Sequence, residues 1–378
     1  MLFSQVKGQK NLIVKIKSII DNNHFPHAVL LSGNDGYGNL AIALATAQYI
    51  SCTSRTDTDS CSQCPSCHKY GKLVHPDLHF IFPTTTTKKI DKNNESSLFI
   101  KEFRQFISEH GAYCNLNQWY NFIGTENKQG IINVKDADNI ISTLTMKTYE
   151  SEFKVMIIWN ADKMNHEASD KILKILEEPY PNTFFILTTE HKDRIIPTIL
   201  SRVQQITVPP LDNQTMYKEI KNYNPSLTDE QISSLVVLCE GNYNRIGEYY
   251  SDEEMQMRND FIEMNRLAMM YRKNAKEIWD FTDTLSKSSR EEIKKFLSYF
   301  LSKIEKCYLF NNVPSSIHPL VGMDDKFKNN YPRFITSSNV EGICKIIDQV
   351  QKSIDRNANL KITVFDMIIK LGKQLEKR

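Results

Sequence analysis

The 378-residue chain carries 47 basic and 45 acidic side chains, with 40% apolar and 24% charged residues. A formal charge of +2 leaves no global basic field of the kind a dedicated nucleic-acid binder carries, and no window reaches the roughly 18 consecutive apolar residues of a membrane span. The first residues, Met1-Leu2-Phe3-Ser4-Gln5-Val6-Lys7, lack the apolar core of a signal peptide, so a cytoplasmic location with no membrane partner is expected.

Helical spacing of Leu12, Ile13, Ile16, Ile19 and Ile20 predicts a surface helix over Asn11–Asn23, leading into a strand at Ala28–Leu31. A glycine-rich turn, Gly33-Asn34-Asp35-Gly36-Tyr37-Gly38-Asn39-Leu40, follows, and then a helix to about Ser51. Beyond a cysteine cluster, His75–Phe82 reads as a strand, Pro83–Ser97 as a polar, mobile loop, and Phe99–Tyr120 as helical. Phe103, Phe106 and Tyr113 in that last stretch suggest an insertion packed on the core. Ile131–Met146 is expected to be a helix with Val134, Ala137, Ile140, Ile141 and Leu144 on one side and Lys135, Asp136 and Asp138 polar.

The apolar run Lys154–Trp159 suits a strand buried on both faces of a parallel sheet. A helix over Ala168–Glu178, a second buried strand over Thr183–Thr189 and a short helix over Arg194–Arg202 come next. Alternating strands and helices argue for an α/β doubly wound sheet. Val208-Pro209-Pro210-Leu211-Asp212 breaks this pattern, and the chain beyond it is almost wholly helical up to a last helix over Leu360–Leu375, with a second break near Ser251 and a long loop over Asn311–Arg333.

Three constellations carry possible chemistry. A working P-loop, GxxxxGK[ST], cradles phosphates on backbone N–H groups, reaches them with its Lys and binds Mg²⁺ through its hydroxyl. Gly33 and Gly38 have that spacing, with Gly36 between them, but Asn39 stands in place of the Lys and Leu40 in place of the hydroxyl. The strand that should end in the metal-binding Asp-Glu pair offers Trp159 and Asn160 instead. Asp162 lies three residues past the expected Asp, as a displaced metal ligand or as a turn or capping residue.

Cys52, Cys61, Cys64 and Cys67 form C-x8-C-x2-C-x2-C, four soft ligands that predict a closed, structural tetrahedral Zn²⁺ site, with His68 and His75 as alternative fourth ligands. Third, Ile199-Leu200-Ser201-Arg202 ends a short helix. Its arginine is either an arginine finger acting on a neighbour's phosphate or a surface residue in a salt bridge.

Taken together, Val6-Lys7-Gly8-Gln9, His27–Gly33, the four cysteines, Lys171–Pro179 (resembling LLKxLEEP) and Thr198–Arg202 (resembling an SRC motif) make the first 210 residues resemble the AAA+ clamp-loader subunits of bacterial DNA polymerase III, specifically the delta-prime type. The resemblance implies an AAA+ P-loop-type parallel-sheet domain over 1–208, with a four-cysteine zinc module at 52–67 and a polar insertion at 83–126. A small helical lid over 209–252 and an α-helical collar over 253–378 would follow.

It further implies that Arg202, with Ser201, acts as a trans arginine finger and that Thr188, Thr189 and Glu190 surround a phosphate-sensing position. Gly241–Arg245 covers a second sensor, where Asn244 stands for the expected Arg. ATP is then not expected to be bound tightly or hydrolysed. The implied partners are gamma/tau-like motor subunits and a delta-like subunit in a hetero-pentamer, and through it the sliding clamp and primed DNA. The alternatives are a motor subunit with a degenerate loop and a zinc-dependent nucleic-acid-binding module. The latter has only Arg55, Lys69 and Lys72 near the cysteines.

Overall fold

Apolar runs too short for helices and flanked by turn residues form the strands β1 (Ala28–Ser32), β2 (Leu78–Ile81), β3 (Lys154–Ile158) and β4 (Thr183–Thr189). In a computed structural model, which describes residues 1–87, 90, 94–125, 128–249, 251–312 and 325–377, they join β5 (Gln204–Thr207) in one parallel sheet of order β2-β3-β4-β1-β5. Leu30 of β1 pairs with Leu187 of β4 on one side and Gln205 of β5 on the other. The expected α/β class with a P-loop-type parallel sheet is borne out. Strand β5 has no counterpart in the sequence reading, because Gln204-Gln205-Ile206-Thr207 is a largely exposed edge strand with no apolar run to mark it.

Both faces of the sheet are covered, which is why its strands carry no polar alternation. Val29, Leu31, Val155, Ile157 and Ile186 pack on one face with α1 (Lys10–Asp21) and α2 (Asn39–Ile50), while Leu30, Met156, Ile158, Phe185 and Leu187 pack on the other. Fully burying one such aliphatic side chain contributes about 1.5–3 kcal/mol. A short α3 (Pro65–Gly71), unforeseen in the sequence, follows the cysteines, with Pro65 at its first turn.

The stretch expected as one helix over 99–120 is two, α4 (Ile100–His110) and α5 (Leu116–Phe122), parted by Gly111 at φ +76°. Their aromatic residues do pack on the core: Phe103 stacks on Phe82 with ring centroids 4.0 Å apart, and Trp119 meets both rings edge-on. The described residues of the Pro83–Ser97 loop are bonded rather than loose. Thr84 exchanges backbone hydrogen bonds with Ile131, and Ser96 Oγ donates to the Phe82 carbonyl at 2.9 Å. Residues 88–89, 91–93 and 126 of the expected insertion lie outside the described residues.

Helix α6 (Val134–Thr145) departs from its expected polar side at Asp136, which is fully buried and accepts from the Ser96 N–H, the Ser96 hydroxyl and the Asn133 N–H. Desolvation raises that carboxyl above its usual range. Next come α7 (His166–Glu177) and α8 (Pro197–Leu200), the latter preceded by a 3₁₀ turn, Lys192–Arg194, where one helix over 194–202 was expected.

The remaining elements are helical: α9 (Asn213–Tyr223), α10 (Asp229–Cys239), α11 (Asn244–Tyr249), α12 (Asp252–Met269), α13 (Ala275–Leu285), α14 (Arg290–Asn312), α15 (Asp325–Asn330), α16 (Val340–Asp355) and α17 (Leu360–Leu375). Helix α15 and the 3₁₀ turn Pro332–Phe334 fall within the expected loop over 311–333, of which residues 313–324 lie outside the described residues. Two compact units result. One comprises residues 1–222 with 239–245, and the other residues 223–238 with 246–378. The second unit has its own core of Phe261, Phe300, Ile304, Ile347 and Ile368. Among the described residues, no helix is long and apolar enough to cross a membrane.

Candidate functional site

The glycine loop leaves the C-terminal end of β1 and enters α2 at Asn39, the position where a P-loop holds phosphate. Its backbone is pinned by Gly33 N–H donating to the Thr189 carbonyl at 3.1 Å, and by the Asn39 amide, which bonds the carbonyls of Gly33 and Thr189. The residue in the Lys position therefore ties the loop to β4 and presents no cation to a ligand. Leu40 is buried in the core.

Protein groups fill the space above the loop. A Cβ at Gly36 would fall 1.9 Å from Asn242 Oδ1, and one at Gly38 would fall 2.9 Å from the Tyr113 hydroxyl. Asp35 accepts from the amides of Asn242 at 2.9 Å, Asn244 at 3.3 Å and Asn115 at 3.4 Å. The cavity left among Asn39, Asn160, Thr188 and Glu190 is about 20 Å³. Ligand pockets run to about 300–1,000 Å³, and 20 Å³ is close to the room of one water.

Most polar groups around this cavity are engaged within the chain or of the wrong sign for an anion; the exception is the Asn160 amide, whose Nδ2 is a buried donor without a partner among the described residues. Thr188 Oγ1 accepts from Asn160 N–H at 3.1 Å, and Thr189 Oγ1 donates to Asp162 at 2.9 Å. Asp162 caps no helix: it lies in the 3₁₀ turn Ala161–Lys163, with its carboxylate on Thr189 and 3.4 Å from Lys163 Nζ. Trp159 is buried beside Phe103. Burial, aided by the nearby Asp35 and Asp162, pushes the Glu190 carboxyl up to about 7. Arg245, next to Asn244, pairs with Glu240 at 2.7 Å.

Arg202 lies at the opposite end of the sheet. It precedes β5, whose Gln204 pairs with Val29 at the start of β1, whereas the glycine loop follows the end of β1. Its Nε donates to Glu177 Oε1 at 2.6 Å and Nη1 to the Thr198 carbonyl at 2.7 Å, with Nη2 also on Glu177. Ser201 Oγ donates to the same carbonyl at 2.9 Å and lies 3.2 Å from Arg202 Nη1. The arginine is thus paired within the chain while its side chain stays 30% exposed.

The sulfurs of Cys52, Cys61, Cys64 and Cys67 all lie within 4.8 Å of one another, and those of Cys61 and Cys67 are 3.9 Å apart. A tetrahedron with metal–sulfur bonds of about 2.3 Å has edges of about 3.8 Å, so the donor set fits a tetrahedral metal ion. Backbone N–H groups of Cys61, Cys64 and Cys67 donate to the sulfurs of Cys52, Cys61 and Cys64 at 3.3–3.4 Å, orienting the ligands. Neither alternative ligand joins them among the described residues. His68 sits on the exposed side of α3, and His75 is buried against Tyr70, accepting from Asp77 N–H at 3.1 Å.

Residues 8–212 match the family model described as DNA polymerase III, delta subunit. The chain belongs to this family. Among curated relatives it is similar to the DNA polymerase III subunit delta' of Bacillus subtilis, 28% identical over 204 residues (54% of this chain, 48% of that protein). It is also similar to subunit delta' of Haemophilus influenzae, 24% identical over 223 residues (59% and 55%), and to that organism's subunit tau/gamma, 23% identical over 230 residues (61% and 26%). The chain thus spans about half the length of the delta' relatives it matches. A crystal structure of a DNA polymerase III gamma subunit-related protein from Thermotoga maritima aligns over 96% of this chain and 99% of its own, with a TM-score of 0.47 and 13% identity.

Gly33, Gly36, Gly38, Asn39 and Leu40 are legible in the sequence as a degenerate loop, whereas the loop-closing roles of Asp35, of Tyr113, expected only to pack on the core, and of Asn242, placed only in the second sensor segment, are not. Asp35 had a legible signal, since a carboxylate inside a phosphate loop opposes the phosphate. Asn242 had only the resemblance of its segment to a second sensor, and Tyr113 had none, because they reach the loop from 206 and 75 residues away (242 − 36 and 113 − 38). Glu177 was read only as part of the LEEP-like segment, with no partner assigned.

Proposed function

We propose that the chain is a non-catalytic, delta-prime-like subunit of a bacterial clamp loader, with Arg202 acting in trans on ATP held by a neighbouring motor subunit. The observation that carries this reading is the contrast between the two ends of the sheet. The chain's own amides and an aromatic ring fill the would-be phosphate site down to about 20 Å³, while Arg202 keeps a partly exposed, Glu177-paired guanidinium at the other end. A fork of N–H donors brought to a neighbour's γ-phosphate stabilises the charge that builds up in phosphoryl transfer.

The rest of the reading follows from family membership. The chain would work in the cytoplasm within a hetero-pentamer of gamma/tau-like motor subunits and a delta-like subunit, helping to place the sliding clamp on primed DNA. Residues 1–208 would supply the AAA+ domain, 209–252 the lid and 253–378 the collar. The four cysteines would hold one structural Zn²⁺, whose closed shell leaves no position for substrate.

The experiment is Arg202→Ala in the reconstituted complex. Loss of an arginine finger costs roughly 10³ to 10⁵ in rate, so DNA-stimulated ATP hydrolysis at the adjoining site should collapse. Near-normal hydrolysis and clamp loading would sink the assignment. The motor-subunit reading predicts Mg²⁺-dependent hydrolysis by the isolated chain, against which stand the residual cavity and the carboxylates of Asp35 and Glu190.

A further inference from the structure

The segment 94–125 reaches beyond its own packing into the glycine loop. We propose that it is a permanent, built-in occupant of the vacated phosphate site, with Tyr113 and Asn115 holding the 239–245 turn on the loop whether or not nucleotide is present. The inference deepens the reading above, because it rests on the loop being non-hydrolysing.

Two separate anchors carry it. The Tyr113 ring covers Gly38, and its centroid lies 5.1 Å from that of Tyr243. Its hydroxyl accepts from the Lys7 N–H at 2.8 Å, and the Lys7 ammonium sits 4.4 Å from the Tyr243 ring centroid. The second anchor is Asp35, which takes the amide of Asn115 from the segment and those of Asn242 and Asn244 from the turn, while Tyr243 N–H donates to the Gly36 carbonyl at 3.2 Å.

The chemistry is the inverse of phosphate binding. In a working loop, donors converge on a mobile anion. Here a fixed carboxylate, Asp35, receives three amides from the same chain, and a neutral phenol lies over the helix N-terminus. Nothing in that set dissociates, so the turn that family resemblance assigns to phosphate sensing is held without a ligand to sense.

Hydrogen exchange of the full chain, read at residues 36–40 and 239–245, tests the proposal. Wild-type protection should be the same with and without millimolar Mg²⁺-ATP. Tyr113→Ala should speed exchange in both segments by about tenfold or more while leaving Leu360–Leu375 unchanged.

Tyr113→Phe keeps the ring and loses only the hydroxyl's two bonds to the Lys7 backbone, from its N–H and to its carbonyl. It should speed exchange about three- to fivefold, and it decides the matter if the alanine variant does not fold. Exchange at 239–245 that is unchanged in the folded variants, or that shifts with ATP in the wild type, would overturn the tether. Neither result bears on the Arg202→Ala assay, so the tether and the finger can fail separately.

Discussion

The carboxylate of Glu177 clasps the guanidinium of Arg202 through Nε and Nη2, while the Thr198 carbonyl takes Nη1. Both side chains are partly exposed, 30% for Arg202 and 46% for Glu177, and such a pair adds only about 0–1 kcal/mol to stability. Its consequence is orientation: three contacts fix a fork that would otherwise sample many rotamers. Glu177→Ala should therefore lower ATP hydrolysis by the reconstituted complex about tenfold through misplacement of the fork. The isolated chain's unfolding midpoint should move by less than the equivalent of about 1 kcal/mol. Unaltered hydrolysis would make the pair a surface salt bridge and nothing more.

Restoring the missing P-loop residues should not restore nucleotide binding. In the double variant Asn39→Lys, Leu40→Thr, the side chains of Tyr113 and Asn242 still occupy the space above the glycines, and Asp35 still faces it. Titration calorimetry with Mg²⁺-ATP should give no more heat than wild type. Micromolar binding by the double variant would show that chemistry, and not space, closes the site.

The Glu190 carboxyl, raised to about 7 from an ordinary value of 4.5, makes stability depend on pH with a defined sign. Between those two values the folded state holds a proton that the unfolded state has released, so this group's contribution to stability is fully present below about 4.5 and is lost as pH rises through about 7. Glu190→Gln should remove this component of the slope and stabilise the chain relative to wild type more at pH 8 than at pH 5. Parallel urea midpoints for the two proteins across that range would refute it.

Loss of any one of the four thiols should open the cysteine cluster, because a closed tetrahedral site needs them all. Cys64→Ser should reduce bound zinc, measured by elemental analysis, from one ion per chain towards zero. It should also lower the melting temperature, as EDTA should for wild type. His75→Ala should leave the zinc content at one, since that ring packs on Tyr70 outside the cluster. A zinc-free wild-type protein would remove the metal from the account.

Local pattern alone placed the sheet and most helices. Thr183–Thr189 and Leu360–Leu375 run between the same residues in sequence expectation and structure, because continuous burial and helical periodicity leave marks within a few residues. The edge strand at Gln204 and the break at Gly111 were missed where that mark is weak: an exposed strand carries no apolar run, and one glycine inside an aromatic-rich stretch does not announce a stop.

The cysteine spacing, the loss of Lys and hydroxyl at Asn39 and Leu40, and the family-like segments around Glu177 and Arg202 were all determined by the sequence itself, since each is a matter of which side chains stand within one short stretch. Only tertiary structure decided that Tyr113 and Asn242 fill the glycine loop, that Asp162 bonds Thr189, and that Glu177 holds Arg202. Those contacts join residues 25 to 206 positions apart, and distance along a chain carries no record of proximity in the fold. The physical reason is that side-chain chemistry is local, whereas occupancy of a site depends on which distant backbone the packed core delivers there.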